Sequence, residues 1–102
     1  MGLLTRDQTE GEGMNIIGRR HNIIITIETI LERENNKSRV KLRVDGVPKI
    51  SGLVVAAHQN LTPLVDGITV GVSPVINRPN YVRMIYGAPN EYKLERMEYD
   101  KY

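Results

Sequence analysis

Ile23-Ile24-Ile25-Thr26-Ile27-Glu28-Thr29-Ile30 is the stretch that decides the fold. Seven of its eight residues are β-branched, side chains that lose rotamer freedom in a helix and pack well on a pleated surface. Arg39-Val40-Lys41-Leu42-Arg43-Val44 follows, with strict alternation of cation and apolar group. A period of two puts Val40, Leu42 and Val44 on one face and Arg39, Lys41 and Arg43 on the other. Glu34-Asn35-Asn36-Lys37 between them is rich in turn formers, and Asp45-Gly46-Val47-Pro48 closes the unit. The reading is an antiparallel hairpin with one buried face.

Moving outward, the same grammar returns. Ile68-Thr69-Val70-Gly71-Val72 echoes Ile25-Thr26-Ile27, and Asn77-Arg78-Pro79-Asn80 stands where the first turn stood. Tyr81-Val82-Arg83-Met84-Ile85-Tyr86 supplies the second strand, and Gly87-Ala88-Pro89 matches Gly46-Val47-Pro48. From Ile25 to Pro48 is 23 residues and from Ile68 to Pro89 is 21, a difference a turn absorbs. Ser51-Gly52-Leu53-Val54-Val55-Ala56-Ala57 reads as one more apolar strand, and His58 to Leu64 as a connector or short strand. Leu31 to Glu34 is taken to prolong the strand before it. Gly11-Glu12-Gly13 is too short and too acidic to cradle a phosphate and reads as a turn before Met14-Asn15-Ile16-Ile17-Gly18. The expected fold is therefore all-β, built of small antiparallel sheets in a barrel-like arrangement. Residues 1–57 and 58–102 are expected as two halves intertwined into one compact unit; a single copy carrying a long insertion is the other reading of the repeat.

Composition narrows the function. Hydrophobic residues make up 40% and charged residues 25% of the 102, which are globular values. There is no Phe, Trp or Cys, so the core must be aliphatic and no disulfide or thiolate site exists. No apolar run is long enough to span a bilayer, and the acidic and polar residues soon after Arg6 do not resemble a secretion signal, so a cytoplasmic protein is expected. Two histidines, His21 and His58, without cysteines make no metal site, and Ser38, Ser51 and Ser73 lack the spacing of an activated nucleophile. No enzyme activity and no cofactor are expected.

A net charge of +2 is too small to hold nucleic acid by charge alone, but its distribution is uneven. Between Arg19 and Lys49 eight residues are basic and four acidic, whereas residues 81–102 carry four of each and all five tyrosines. In Tyr92-Lys93-Leu94-Glu95-Arg96-Met97-Glu98, alternation gathers Tyr92, Leu94 and Arg96, with Glu98, on one face. A ring, an apolar floor and a guanidinium on an edge strand suit the reading of unstacked RNA bases. The same pattern also describes a solvated edge whose charges prevent aggregation.

Two end segments favour the first reading. Met1-Gly2-Leu3-Leu4-Thr5-Arg6 resembles the Met-Leu-Ile-Leu-Thr-Arg-Arg opening of the carbon storage regulator (CsrA/RsmA) family. Ala88-Pro89-Asn90-Glu91-Tyr92-Lys93-Leu94-Glu95-Arg96-Met97-Glu98 is similar to its Ala-Pro-x-Glu-Val-x-Val-x-Arg-x-Glu segment, and Val82-Arg83-Met84 to its Val-Arg-Ile. These motifs cover about a fifth of the chain, and their order and register carry the likeness. The resemblance implies an RNA-binding translational repressor acting on GGA-type loops in messenger leaders. In that family the first strand of one subunit lies beside the last strand of the other, and the pair makes one RNA site. Carried over residue by residue, the RNA-binding set is Leu4, Thr5 and Arg6, then Ala88 and Pro89, then Tyr92, Leu94 and Arg96.

The departures are specific. Asp7 replaces a second arginine, Glu95 stands where a histidine is common, and too few residues follow Glu98 for the family's C-terminal helix. If the repeat is real, the chain is its own pseudo-dimer, with one complete site from its two ends. The middle then holds a vestigial site: Lys49 to Ala57 has no terminal arginine, and Pro63 stands where Leu61-Thr62 would be followed by one. If the middle is an insertion, a homodimer with two sites is expected. A β-sheet module for protein contacts or assembly is the alternative function, since clustered tyrosines suit such an interface.

Overall fold

The computed structural model describes residues 2–19, 22–32, 38–46, 49–57, 61–65, 67–75, 78 and 80–97. Nine strands and no helix occur among them: β1 (Gly2–Gln8), β2 (Gly13–Ile17), β3 (Asn22–Glu32), β4 (Arg39–Asp45), β5 (Ile50–Ala56), β6 (Thr62–Pro63), β7 (Thr69–Pro74), β8 (Val82–Ala88) and β9 (Lys93–Met97). Both expected hairpins form, as β3–β4 and β7–β8. The turn expected at Glu34–Lys37, together with Val47, Pro48, His21, His58–Asn60, Asn77, Pro79 and Glu98, lies outside the described residues.

The strands divide into a four-stranded sheet, β1-β8-β7-β6, and a five-stranded sheet, β5-β4-β3-β2-β9, both antiparallel. A barrel-like closure was expected; the sheets do not close. β1 pairs with β8 and β9 with β2, so the first and last strands are outer edges of different sheets and share no ladder. Side chains rather than backbone groups fill the space between these edges, with Leu4, Tyr92 and Leu94 packed against the core.

That core is mainly aliphatic, with Tyr86 its one wholly buried ring among the described residues. Ile16, Ile23, Ile25, Ile27, Val40, Leu42 and Val44 from one sheet meet Val70, Val72, Val82, Met84 and Tyr86 from the other. Two irregularities keep the apolar residues inward. Glu28 is left out of the β3–β4 register, between Ile27 and Thr29. Without that extra residue Ile30 would face solvent; with it, Ile30 pairs with Val40 and is buried. Gly52, at φ 77°, plays the same part in β5. It lets Leu53 and Val55 share the inner face with Ile50, against Leu42, Val40 and Val44.

The strand order contains a regularity. Exchanging β1 with β5, β2 with β6, β3 with β7 and β4 with β8 converts β1-β8-β7-β6 into β5-β4-β3-β2. β1 thus joins the sheet of β6, β7 and β8, and β5 the sheet of β2, β3 and β4. β9 alone has no counterpart, so β6 is an edge where β2 is covered. That edge is short and carries a proline. The Leu64 N–H bonds the Ile68 carbonyl at 2.8 Å, so by alternation Thr62 also turns its backbone groups toward β7 and Pro63 turns its own outward. The missing proline N–H is the one that an added strand would need.

Gly13 marks the tightest passage of the backbone. A Cβ there would lie 1.8 Å from the Ile25 carbonyl oxygen, a main-chain atom that cannot swing away. Gly13→Ala should therefore destabilise the protein by about 3 kcal/mol or prevent folding, read as a fall in the urea midpoint.

Candidate nucleic-acid interface

The direction of the chain brings the two ends to one side of the sandwich. β1 starts with Gly2 opposite Ala88, the last residue of β8, and the turn from Pro89 to Tyr92 leads from Ala88 into β9. β1 ends at Gln8, and the turn Thr9–Glu12 leads into Gly13, which lies opposite Met97 at the end of β9. Both edges therefore span the same two turns and run in the same direction. Short hydrogen bonds set each turn: the Tyr92 N–H to the Pro89 carbonyl at 3.0 Å, and the Glu12 N–H to the Thr9 carbonyl at 3.1 Å. The Glu12 side chain also accepts from the Thr9 N–H at 3.0 Å, and Glu10 accepts from the Ile30 N–H beside the β3 irregularity at 2.8 Å.

Each residue of the expected RNA-binding set has a definite place. Residues directly opposite in an antiparallel pair share a face. Leu4 and Arg6 oppose the buried Tyr86 and Met84, so they point inward, while Thr5 opposes Ile85 on the outer face and is exposed. On β9, Leu94 and Arg96 oppose the buried Ile16 and Met14 and share the inner face. Leu94 and Tyr92 are half-buried and Arg96 is exposed. Ala88 is buried and Pro89 half-buried at the turn between β8 and β9. Leu4 and Arg6 thus lie on the inner face of β1 and Leu94 and Arg96 on that of β9, with Tyr92 packed against the core just before β9. Thr5 lies on the other face of its strand and offers mainly backbone.

Charge is sorted by face along both edges. Asp7 points outward and bonds the Arg83 guanidinium at 2.9 Å, and Lys93 meets Glu95 at 3.3 Å on the outer face of β9. Arg6 and Arg96 lie on the inner faces, opposite Met84 and Met14. Asp7 and Glu95, the two departures that lower the net positive charge, therefore lie on the outer faces of β1 and β9. Arg6 is also incompletely satisfied: its Nε is buried with no hydrogen-bond partner, and its Nη1 makes only a 3.5 Å contact with the Thr5 carbonyl. A desolvated guanidinium donor without an acceptor is costly, and an acceptor on a ligand would relieve that cost.

A buried clamp, not foreseen from sequence, sets the position of β1. The Tyr86 hydroxyl donates to Gln8 Oε1 at 2.7 Å, and Gln8 Nε2 donates to the Gly13 carbonyl at 2.8 Å. This chain of bonds ties the end of β1 to its own sheet through β8 and to the other sheet through β2. It therefore fixes how far the β1 edge stands from the β9 side. Only the parity of Gln8 with Leu4 and Arg6 hints at it in the sequence, since a glutamine in a strand otherwise reads as solvent-facing. Among the described residues no group of three His, Cys, Asp or Glu side chains is arranged to hold a metal ion.

No family model, curated protein or solved structure matches the chain.

Tyr86→Phe leaves Gln8 Oε1 buried without its donor and should cost about 1–3 kcal/mol. Burial, with Glu12 nearby, raises the Tyr86 phenol above its ordinary 10.0. The raised acid stabilises the fold fully below pH 10, and that contribution fades as pH climbs from there toward the folded value, because the unfolded phenol ionises first. Urea unfolding at pH 9 and 11 should show a loss of stability in the parent protein that is smaller in Tyr86→Phe.

Proposed function

We propose that the protein binds single-stranded GGA-type loops of messenger leaders and represses their translation, through the side of the sandwich bounded by β1 and β9. The observation that carries this reading is the convergence of Arg6 and Arg96 on that side. Each lies on the inner face of its strand, opposite Met84 and Met14 respectively, and the Arg6 Nε lacks an acceptor. Leu4, Tyr92 and Leu94 provide a half-buried floor for bases, and the guanidinium groups provide donors for guanine or phosphate. The end-segment resemblance to the carbon storage regulators supplies the GGA specificity and the repressor role.

The chain acts as its own pseudo-dimer with one working site. Supporting this is the exchange symmetry of the strand order, in which β5 stands to β4 as β1 stands to β8. On that reading the halves divide between β4 and β5, and β5 rather than the segment near Leu61 opens the second half. Leu53 opposite Leu42 then takes the place of Arg6 opposite Met84, and Val55 opposite Val40 that of Gln8 opposite Val82. The second site loses its arginine, its clamp and the strand that β9 would match. Pro63 discourages a replacement strand from another chain.

The rival reading, a protein-interaction module, drew on the clustered tyrosines. Tyr86 is wholly in the core, Tyr92 packs against it, and Tyr81 lies under Arg78, so these three make no open aromatic patch.

A gel shift with an RNA hairpin exposing GGA should show binding that guanine-to-cytosine exchange abolishes; equal binding to both, or to neither, removes the proposal. Arg6→Ala and Arg96→Ala should each weaken binding by roughly 1–3 kcal/mol. Light scattering of the complex should give one chain with one RNA. A dimer carrying two would replace the fused architecture by an insertion.

A further inference from the structure

We propose that Arg78 and Tyr81 form a stacking subsite for one nucleobase flanking the GGA motif. The inference rests on the RNA-binding reading above and adds a contact to it. The Arg78 guanidinium carbon lies 3.7 Å from the centroid of the Tyr81 ring, so the cation rests on one face of the aromatic ring. Arg78 itself is exposed and Tyr81 half-buried. A flat guanidinium held on one side by a ring offers its other face as a rigid cationic plane, the surface on which an unpaired base stacks.

Its place in the fold is fixed by two hydrogen bonds. The Tyr81 N–H bonds the Arg78 carbonyl at 3.0 Å, closing a tight turn, and the Asn80 carbonyl accepts the Thr9 hydroxyl at 2.6 Å. Thr9 directly follows β1, and Val82, next after Tyr81, lies opposite Gln8. The platform therefore stands at the end of the β1 edge. Arg6 is two residues back from Gln8, roughly 7 Å along the strand. RNA following β1 past Arg6 meets the Arg78 plane next. Every base has a π-face, so this contact tightens binding without choosing among flanking bases, and GGA selection stays with the β1–β9 cleft.

The test is a set of GGA hairpins in which each nucleotide beside the motif, on either side, is replaced in turn by an abasic one. Titrations use the full-length parent chain, Arg78→Ala and Arg78→Lys, each first checked for parental thermal melting. One abasic position should weaken parental binding by roughly 5- to 100-fold. That penalty should vanish in Arg78→Ala and also in Arg78→Lys, which keeps the charge and loses the plane. The subsite is overturned, with the RNA reading intact, if every abasic hairpin binds the parent normally or if the penalty survives in Arg78→Ala. It is overturned as well if Arg78→Lys behaves as the parent, since charge alone then suffices. Failure of the parent chain to bind the unmodified GGA hairpin removes both the subsite and the function it extends.

Discussion

The architecture depends on one constraint: twice, the chain must leave one sheet and enter the other within four residues. Thr9–Glu12 carries it from β1 to β2, and Pro89–Tyr92 from β8 to β9. Such abrupt transfers leave backbone groups to be satisfied and side chains to be cleared away. At the first transfer Glu10 and Glu12 bond nearby N–H groups, and the glycines at 11 and 13 allow a positive φ of 89° and a close approach to Ile25. At the second, proline opens the turn and its carbonyl closes it. With both ends tied, β1 and β9 run in the same direction between the same two turns.

The Gln8–Tyr86 clamp acts on the same constraint from inside. In an aliphatic core, a phenol and a carboxamide are tolerated because each satisfies the other and the spare amide hydrogen reaches the Gly13 carbonyl. Polar groups with so few alternative partners hold one geometry, whereas isoleucine against valine would accept several. The clamp gives the apolar sandwich a defined offset between its sheets at the end of β1.

Much of this was legible in the sequence, and the remainder was hidden for definable reasons. Ile23–Ile30 and Arg39–Val44 announced their hairpin because β-branching and alternation are local properties, and Ile68–Tyr86 did the same. Glu28 and Gly52 were not recognisable as irregularities, since an extra residue shows only when a partner strand fixes the count. The division into two sheets was equally hidden, because β1 pairs with β8 and β9 with β2 across almost the whole chain. Of the candidate site, the inward pairing of Leu94 with Arg96 followed from alternation alone. Asp7 looked like a loss of positive potential, and only the three-dimensional neighbour Arg83 shows where that charge is directed.

The pairing of the first strand with the eighth has a consequence in time. A chain emerging residue by residue has no hydrogen-bonding partner for Gly2–Gln8 until Val82–Ala88 exists, and β9, with its arginine, comes later still. β2, β3 and β4 can associate early as local neighbours, whereas β1 and β9 take their places only after Val82–Ala88 and Lys93–Met97 have been made. A chain ended before Val82 would have no partner strand for β1 and no β9.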